Sequence, residues 1–204
     1  MSFKYNFSAN TGYLWKELPF LERLAMAKKY DFETVEFHDE PYKENIKKLQ
    51  LVLSELDLKV NGINIRMGET FGCAAISEYS EKYRHDIKEA IKVAIELQVP
   101  AIHVMSGITT ADDANKTFIS SLEYALENST QTILIEPVCN EQLPGYFLRT
   151  IEQASEILKI INHPRLKILF DCYHVYKESG DLMDAFAKNC LLYTSDAADD
   201  IACV

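Results

Sequence analysis

The chain has 204 residues, 48% of them hydrophobic, enough to bury the core of one domain. Its formal charge of −10 repels a phosphate backbone and no basic stripe offsets it, so nucleic acid is not an expected partner. "MSFKYNFSAN" lacks the apolar core of a signal peptide, no stretch reaches the roughly 20 apolar residues of a membrane span, and the five cysteines (Cys73, Cys139, Cys172, Cys190, Cys203) form no C-x-x-C pair, which points to a cytoplasmic protein with reduced thiols, no membrane segment and no zinc knuckle.

Short β-type runs alternate with amphipathic helical stretches along the chain. "KYNFSAN" (4–10) reads as a strand, and "ELPFLERLAMAKKY" (17–30) as a helix with apolar residues at three and four spacing. "TVEF" (34–37) is the second strand, with its helix over 42–57. "KVNGINI" (59–65) is the third, followed by a long helix over 78–98. "AIHVMSG" (101–107) is the fourth, with a helix over 111–127. "TILIEP" (132–137) is the fifth, with a helix over 146–161. "LKILFD" (166–171) is the sixth, and "GDLMDAFAKN" (180–189) opens another helix.

Six successive βα units with strands this apolar imply a parallel sheet covered by helices. A doubly wound sheet and a (β/α)₈ barrel both satisfy that pattern. The polar residues favour the barrel, whose chemistry sits at the carboxyl ends of its strands. "VEFH", "IHVMS", "ILIE" and "ILFD" each finish an apolar run on a polar or charged group.

Glu136 and Asp171 close two consecutive strands. Neighbouring strands lie about 4.8 Å apart, so the two carboxylates are expected to converge on one small volume at the barrel mouth. Like charges that close raise one pKa unless a cation lies between them. An oxygen-ligated divalent ion, Mg²⁺ or Mn²⁺, meets that need. One such acid alone more simply caps a turn or pairs with a lysine; two on successive strands, with His174 three residues after Asp171, point to a site.

The other polar residues carry weaker signals. His103 either lines the pocket or is a hydrogen-bonded core histidine, and neither His38 nor Glu36 is expected to be a ligand. His85 and His163 read as surface residues, and Gly107 and Gly145 as turn glycines. Tyr13 and Trp15 either wall a sugar site or form a hydrophobic lid.

Three segments resemble a known family: "FSANTGYLWKELPFLERLAMAKKYDFETVEF" (7–37), "IEPVCNEQLPGYFLRTIEQA" (135–154) and "LKILFDCYHVYKESGDL" (166–182). They are similar to the hydroxypyruvate isomerases, within the xylose isomerase-like barrels of sugar isomerases and epimerases. The resemblance runs from about residue 5 to 189. It implies that Glu136 and Asp171 are metal ligands, that Glu136 is also an acid–base group, and that His174 contacts substrate. Cys139, where asparagine is usual, Tyr176, where glutamine is, and "HDEPYKENIKKL" (38–49) depart from the family pattern.

"CLLYTSDAADDIACV" (190–204) continues no βα rhythm, and its first eleven residues match the translation of a transposase adaptor used in sequencing libraries. The barrel sequence is therefore expected to span 1–189, with a non-native tail over 190–204. A complete barrel runs to about 250 residues. In the family the second catalytic glutamate and the remaining metal ligands come from the seventh and eighth strands, so this chain by itself is expected to be inactive.

The expected activity of the full-length parent is a metal-dependent aldose–ketose isomerisation of hydroxypyruvate or a related small 2-oxo acid or sugar, through an enediolate. Homo-oligomers are compatible with it. The alternatives are a ketose 3-epimerase or sugar-phosphate isomerase of the same fold and, more distantly, a metal-dependent hydrolase of the apurinic-endonuclease type. The last wants several metal-binding histidines together, and five scattered ones argue against it.

Overall fold

A computed structural model describes residues 7–189. The tail at 190–204 and the start of the first expected strand lie outside the described residues. Six strands and seven α-helices are described. They are β1 (Ser8–Asn10), α1 (Phe20–Lys29), β2 (Thr34–Phe37), α2 (Ile46–Glu55), β3 (Lys59–Asn64), α3 (Ser80–Glu96) and β4 (Ala101–His103); then α4 (Ala114–Asn128), β5 (Thr132–Ile135), α5 (Ile151–Ile161), β6 (Leu166–Ile168), α6 (Cys172–Ser179) and α7 (Leu182–Asn189).

The six strands form one parallel sheet in the order β1-β2-β3-β4-β5-β6. A doubly wound sheet reverses direction at a switch point, and this order has none. It is the sequential winding of a (β/α)₈ barrel, open among the described residues between β1 and β6. One irregularity lies between Val35 and Glu36, where the β2–β3 register shifts.

The core lies between the sheet and its helices. Val35, Ile63, Ile102, Ile133 and Ile168 are all buried in it. Helix α3 answers with Tyr83, Ile87, Ala90 and Ala94, whose four-three-four spacing forms one buried stripe. Each buried aliphatic side chain of this size stabilises the fold by roughly 1.5–3 kcal/mol. Tyr83 also donates its hydroxyl to the Ser121 carbonyl on α4 at 2.7 Å, which satisfies its one polar atom.

Several strands end sooner than the apolar runs suggested. β5 stops at Ile135 and β6 at Ile168, so Glu136 and Asp171 lie beyond the ladder rather than in it. Helix α5 begins at Ile151 instead of 146 because 138–150 is used as a covering loop. Its backbone bonds Val138 to Leu148 (2.9 Å), Phe147 to Gly107 (3.0 Å) and Thr109 to Gly145 (3.1 Å), and it hands over to the helix at Thr150, whose side chain caps the Gln153 amide.

Helix α6 was not anticipated. Its start signal is Asp171 itself, whose Oδ1 accepts from the amides of Tyr173 (2.7 Å) and His174 (3.2 Å), and its stop is Gly180 at φ 72°. The loop after β3 lies close over β4. At Gly72, φ is 89° and a Cβ would stand 2.3 Å from the Met105 carbonyl oxygen, so only glycine fits.

Candidate active site

A cavity of about 440 Å³ runs along the inner face of the sheet, from Pro100 and Thr132 at the amino ends of β4 and β5 to the carboxyl ends of the strands. Asn10 and Glu36 reach it from β1 and β2, His103 from β4, Glu136 and Asp171 from just past β5 and β6, and His174 from α6. The strand ladder brings these residues together: in register, Asn10 faces Glu36, and Asn64 faces His103.

Glu136, Asp171 and His174 each direct one ligand atom into a space where all three lie within 4.8 Å of one another. Asp171 divides its labour. While Oδ1 caps α6, Oδ2 lies 3.9 Å from His174 Nε2. The cap reading and the site reading of this aspartate therefore hold together. The other ring nitrogen of His174, Nδ1, is 3.3 Å from the buried Cys139 thiol, and α6 is further tied to the β5 loop where Glu178 accepts from the Asn140 amide at 2.6 Å. Cys139, a departure from the family pattern, thus supports the histidine ring.

The electrostatics follow from burial. Glu136 is 16% exposed, and loss of water pushes its carboxyl up to about 8, reinforced by the carboxylates of Asp171 and Glu36. Burial lowers His103 to about 3, with His38 adding to the effect, so that imidazole is neutral. Burial likewise lowers His38 and His174. The Tyr13 phenol is raised by burial and by Glu136 and Asp171, and remains a proton donor. Two carboxyl groups and an imidazole this close form a donor set that suits a divalent cation, whose charge would offset the burial and the repulsion that hold Glu136 protonated.

The sign of the metal-free pH dependence can be worked out. Folding raises Glu136 from an ordinary 4.5 to about 8, so the folded chain holds a proton that the unfolded chain has lost. Stability is full below about pH 4.5 and falls as pH rises to about 8. Asp171, Glu36, His103, His174 and Tyr13 face the group and are shared with Glu136→Gln, so the difference between the two proteins isolates it. Urea unfolding in EDTA at about pH 5 and about pH 8 should show wild type losing more stability than Glu136→Gln; a loss equal in both contradicts the assignment.

The residues singled out from sequence are placed unequally. Glu136, Asp171 and His174 converge as expected. His38, His103 and His174, three of the five histidines, line the cavity, and of these His174 is the one that joins Glu136 and Asp171 in a group able to hold a metal among the described residues. The three are distant in sequence but belong to the second, fourth and sixth βα units, His38 just past β2, His103 at the end of β4 and His174 in α6. Tyr13 also lines the cavity, whereas Trp15 turns away and stacks on Tyr30, ring centroids 5.9 Å apart. Asn64 and Cys139 were missed as site residues; the register of β3 against β4 was the one signal for Asn64.

Residues 24–201 match the model of the xylose isomerase-like TIM barrel. The chain belongs to that family. Hydroxypyruvate isomerase from Escherichia coli strain K12 is 30% identical over 89% of this chain and 74% of its own length. The 2-oxo-tetronate isomerase of Cupriavidus necator is 31% identical over 86% of this chain and 72% of its own length. A crystal structure described as an AP endonuclease, family 2, from Brucella melitensis superposes with a TM-score of 0.89 at 30% identity, covering 93% of this chain and 77% of that one. These relatives bear out the resemblance to the hydroxypyruvate isomerases. No helix among the described residues of this xylose isomerase-like barrel is long and apolar enough to cross a membrane.

Proposed function

We propose that this xylose isomerase-like barrel is a metal-dependent isomerase of hydroxypyruvate or a closely related small 2-oxo acid. The observation that carries the reading is the convergence of Glu136, Asp171 and His174 beside a cavity of small-molecule size. The names of the curated relatives support the reaction class and the substrate.

Moving a carbonyl between adjacent carbons requires removal of the proton beside C=O, which leaves an enediolate. Glu136, as the carboxylate, takes the proton from the hydroxymethyl carbon of hydroxypyruvate and returns it to the neighbouring carbon, giving tartronate semialdehyde, while the hydroxyl proton passes between the two oxygens. Glu136, Asp171 and His174 are the residues that would hold a divalent ion such as Mg²⁺ or Mn²⁺. Bound there, it supplies positive charge to the two substrate oxygens as negative charge develops on them. Tyr13 contributes a hydroxyl donor at the mouth, and the covering loop at 138–150, through Gln142 and Leu143, limits access of water.

The test is conversion of hydroxypyruvate by protein expressed from the complete reading frame, assayed before EDTA treatment, after it, and after Mg²⁺ or Mn²⁺ is restored. Turnover that vanishes with EDTA and returns with metal supports the reading. A folded protein that binds metal but leaves hydroxypyruvate unchanged sinks that substrate and directs the search to ketose 3-epimerisation. The description of the Brucella structure favours one competing reading, a metal-dependent hydrolase, which predicts incision of abasic DNA instead.

A further inference from the structure

His103 is a buried imidazole with one nitrogen accounted for and one left over. Its Nδ1 lies 3.1 Å from Asn64 Oδ1, and the two residues are partners across the β3–β4 ladder, so the sheet itself holds the contact. A carbonyl oxygen can only accept. Nδ1 therefore carries the ring's proton, and Nε2 is a bare lone pair. That Nε2 is buried without a hydrogen-bond partner, on a side chain 5% exposed in the cavity wall. Buried polar atoms are satisfied almost without exception, and a histidine kept for packing alone has no reason to leave one open.

Glu136 Oε2 stands 3.8 Å from this nitrogen, beyond hydrogen-bond range, and once it has lost its proton to act as the base it too can only accept. The missing partner is a donor. A carbon bearing both a hydroxyl and a hydrogen matches the pair, with O–H directed to Nε2 and C–H directed to the carboxylate. We propose that His103 is a catalytic residue that accepts a hydrogen bond from the substrate hydroxyl on the very carbon that Glu136 deprotonates, and that Asn64 is the positioning residue that fixes its tautomer. This rests on the role given to Glu136 above and narrows the substrate class to α-hydroxycarbonyl compounds whose hydroxyl and mobile hydrogen share one carbon.

The direct readout is ¹⁵N NMR of histidine-labelled protein in Mg²⁺, which distinguishes a protonated ring nitrogen from a bare one. Free protein should show His103 protonated at Nδ1 and bare at Nε2. Two ligand pairs are then compared, hydroxypyruvate against pyruvate and dihydroxyacetone against acetone, the second of each pair lacking the hydroxyl. The hydroxylated member of at least one pair should shift the Nε2 resonance and its partner should not. A proton on Nε2 in the free protein overturns the proposal, as do shifts by both members of a pair or by neither member of either pair. If dihydroxyacetone alone shifts Nε2 and hydroxypyruvate is not turned over, the proposal stands and the hydroxypyruvate reading falls. Kinetics add a second arm: His103→Leu should lower kcat/KM by about 10- to 100-fold and His103→Gln, which retains an acceptor, should recover part of it. Because the tautomer is read in unaltered protein, a variant that fails to fold does not remove the test.

Discussion

Glu136→Gln is expected to reduce kcat for hydroxypyruvate by at least about 10²–10⁴-fold, the range attached to removal of a general base. Glutamine has nearly the same shape and can take no proton from carbon. The variant should fold, because the native carboxyl is 16% exposed beside Asp171 and Glu36 and its charge is opposed there by both burial and repulsion. In EDTA above about pH 8 the variant should be the more stable of the two, since it carries no charge into that site. The measurements belong together: an inactive variant that keeps its thermal stability and still binds Mn²⁺ isolates the loss of the base, one that no longer binds Mn²⁺ has lost a ligand, and retained turnover removes Glu136 from the mechanism.

The second large effect concerns Asp171. Asp171→Asn should weaken Mn²⁺ binding, measured calorimetrically, by more than about 100-fold, because loss of outer-shell support alone commonly costs 10- to 100-fold and here a charged ligand is removed. It should leave the fold almost untouched. Asparagine caps a helix as well as aspartate does, so the amides of Tyr173 and His174 keep their acceptor. Asp171→Ala should lose the metal equally and in addition destabilise α6 by about 1 kcal/mol in urea unfolding. Two variants matched in metal affinity but separated in stability would demonstrate the two roles of one carboxyl. Unchanged Mn²⁺ affinity in Asp171→Asn would leave the residue as a cap and nothing more.

Much of the barrel was legible because parallel strands buried on both faces must be apolar throughout and their helices must be amphipathic. "TVEF" appears as the strand expected, and "KVNGINI" is one residue shorter. The errors cluster at element ends, where hydrophobicity stops being informative. The sequence "DCYHVYKESG" held a capping aspartate and a terminating glycine but a weak apolar stripe, and α6 went unread. The covering loop at 138–150 was read partly as helix because the apolar run Tyr146, Phe147 and Leu148 leads directly into the amphipathic pattern of α5. They lie instead in a non-helical segment whose backbone pairs Phe147 with Gly107, Gly145 with Thr109 and Leu148 with Val138.

By itself the sequence determined the alternation of strand and helix, the position of Glu136 and Asp171 at strand ends, and the membership of those residues in a recognisable pattern. These are local or periodic properties, carried by which residues follow one another. Tertiary structure decided which residues meet. Asn64 and His103 are 39 positions apart and Cys139 and His174 are 35 apart, yet each pair shares a contact because parallel strands in register return the chain to the same height once per βα unit. Periodicity announces that such a return occurs, and the register of the β3–β4 ladder, set by the side chains packed beneath it, fixes which nitrogen of His103 is left facing the cavity.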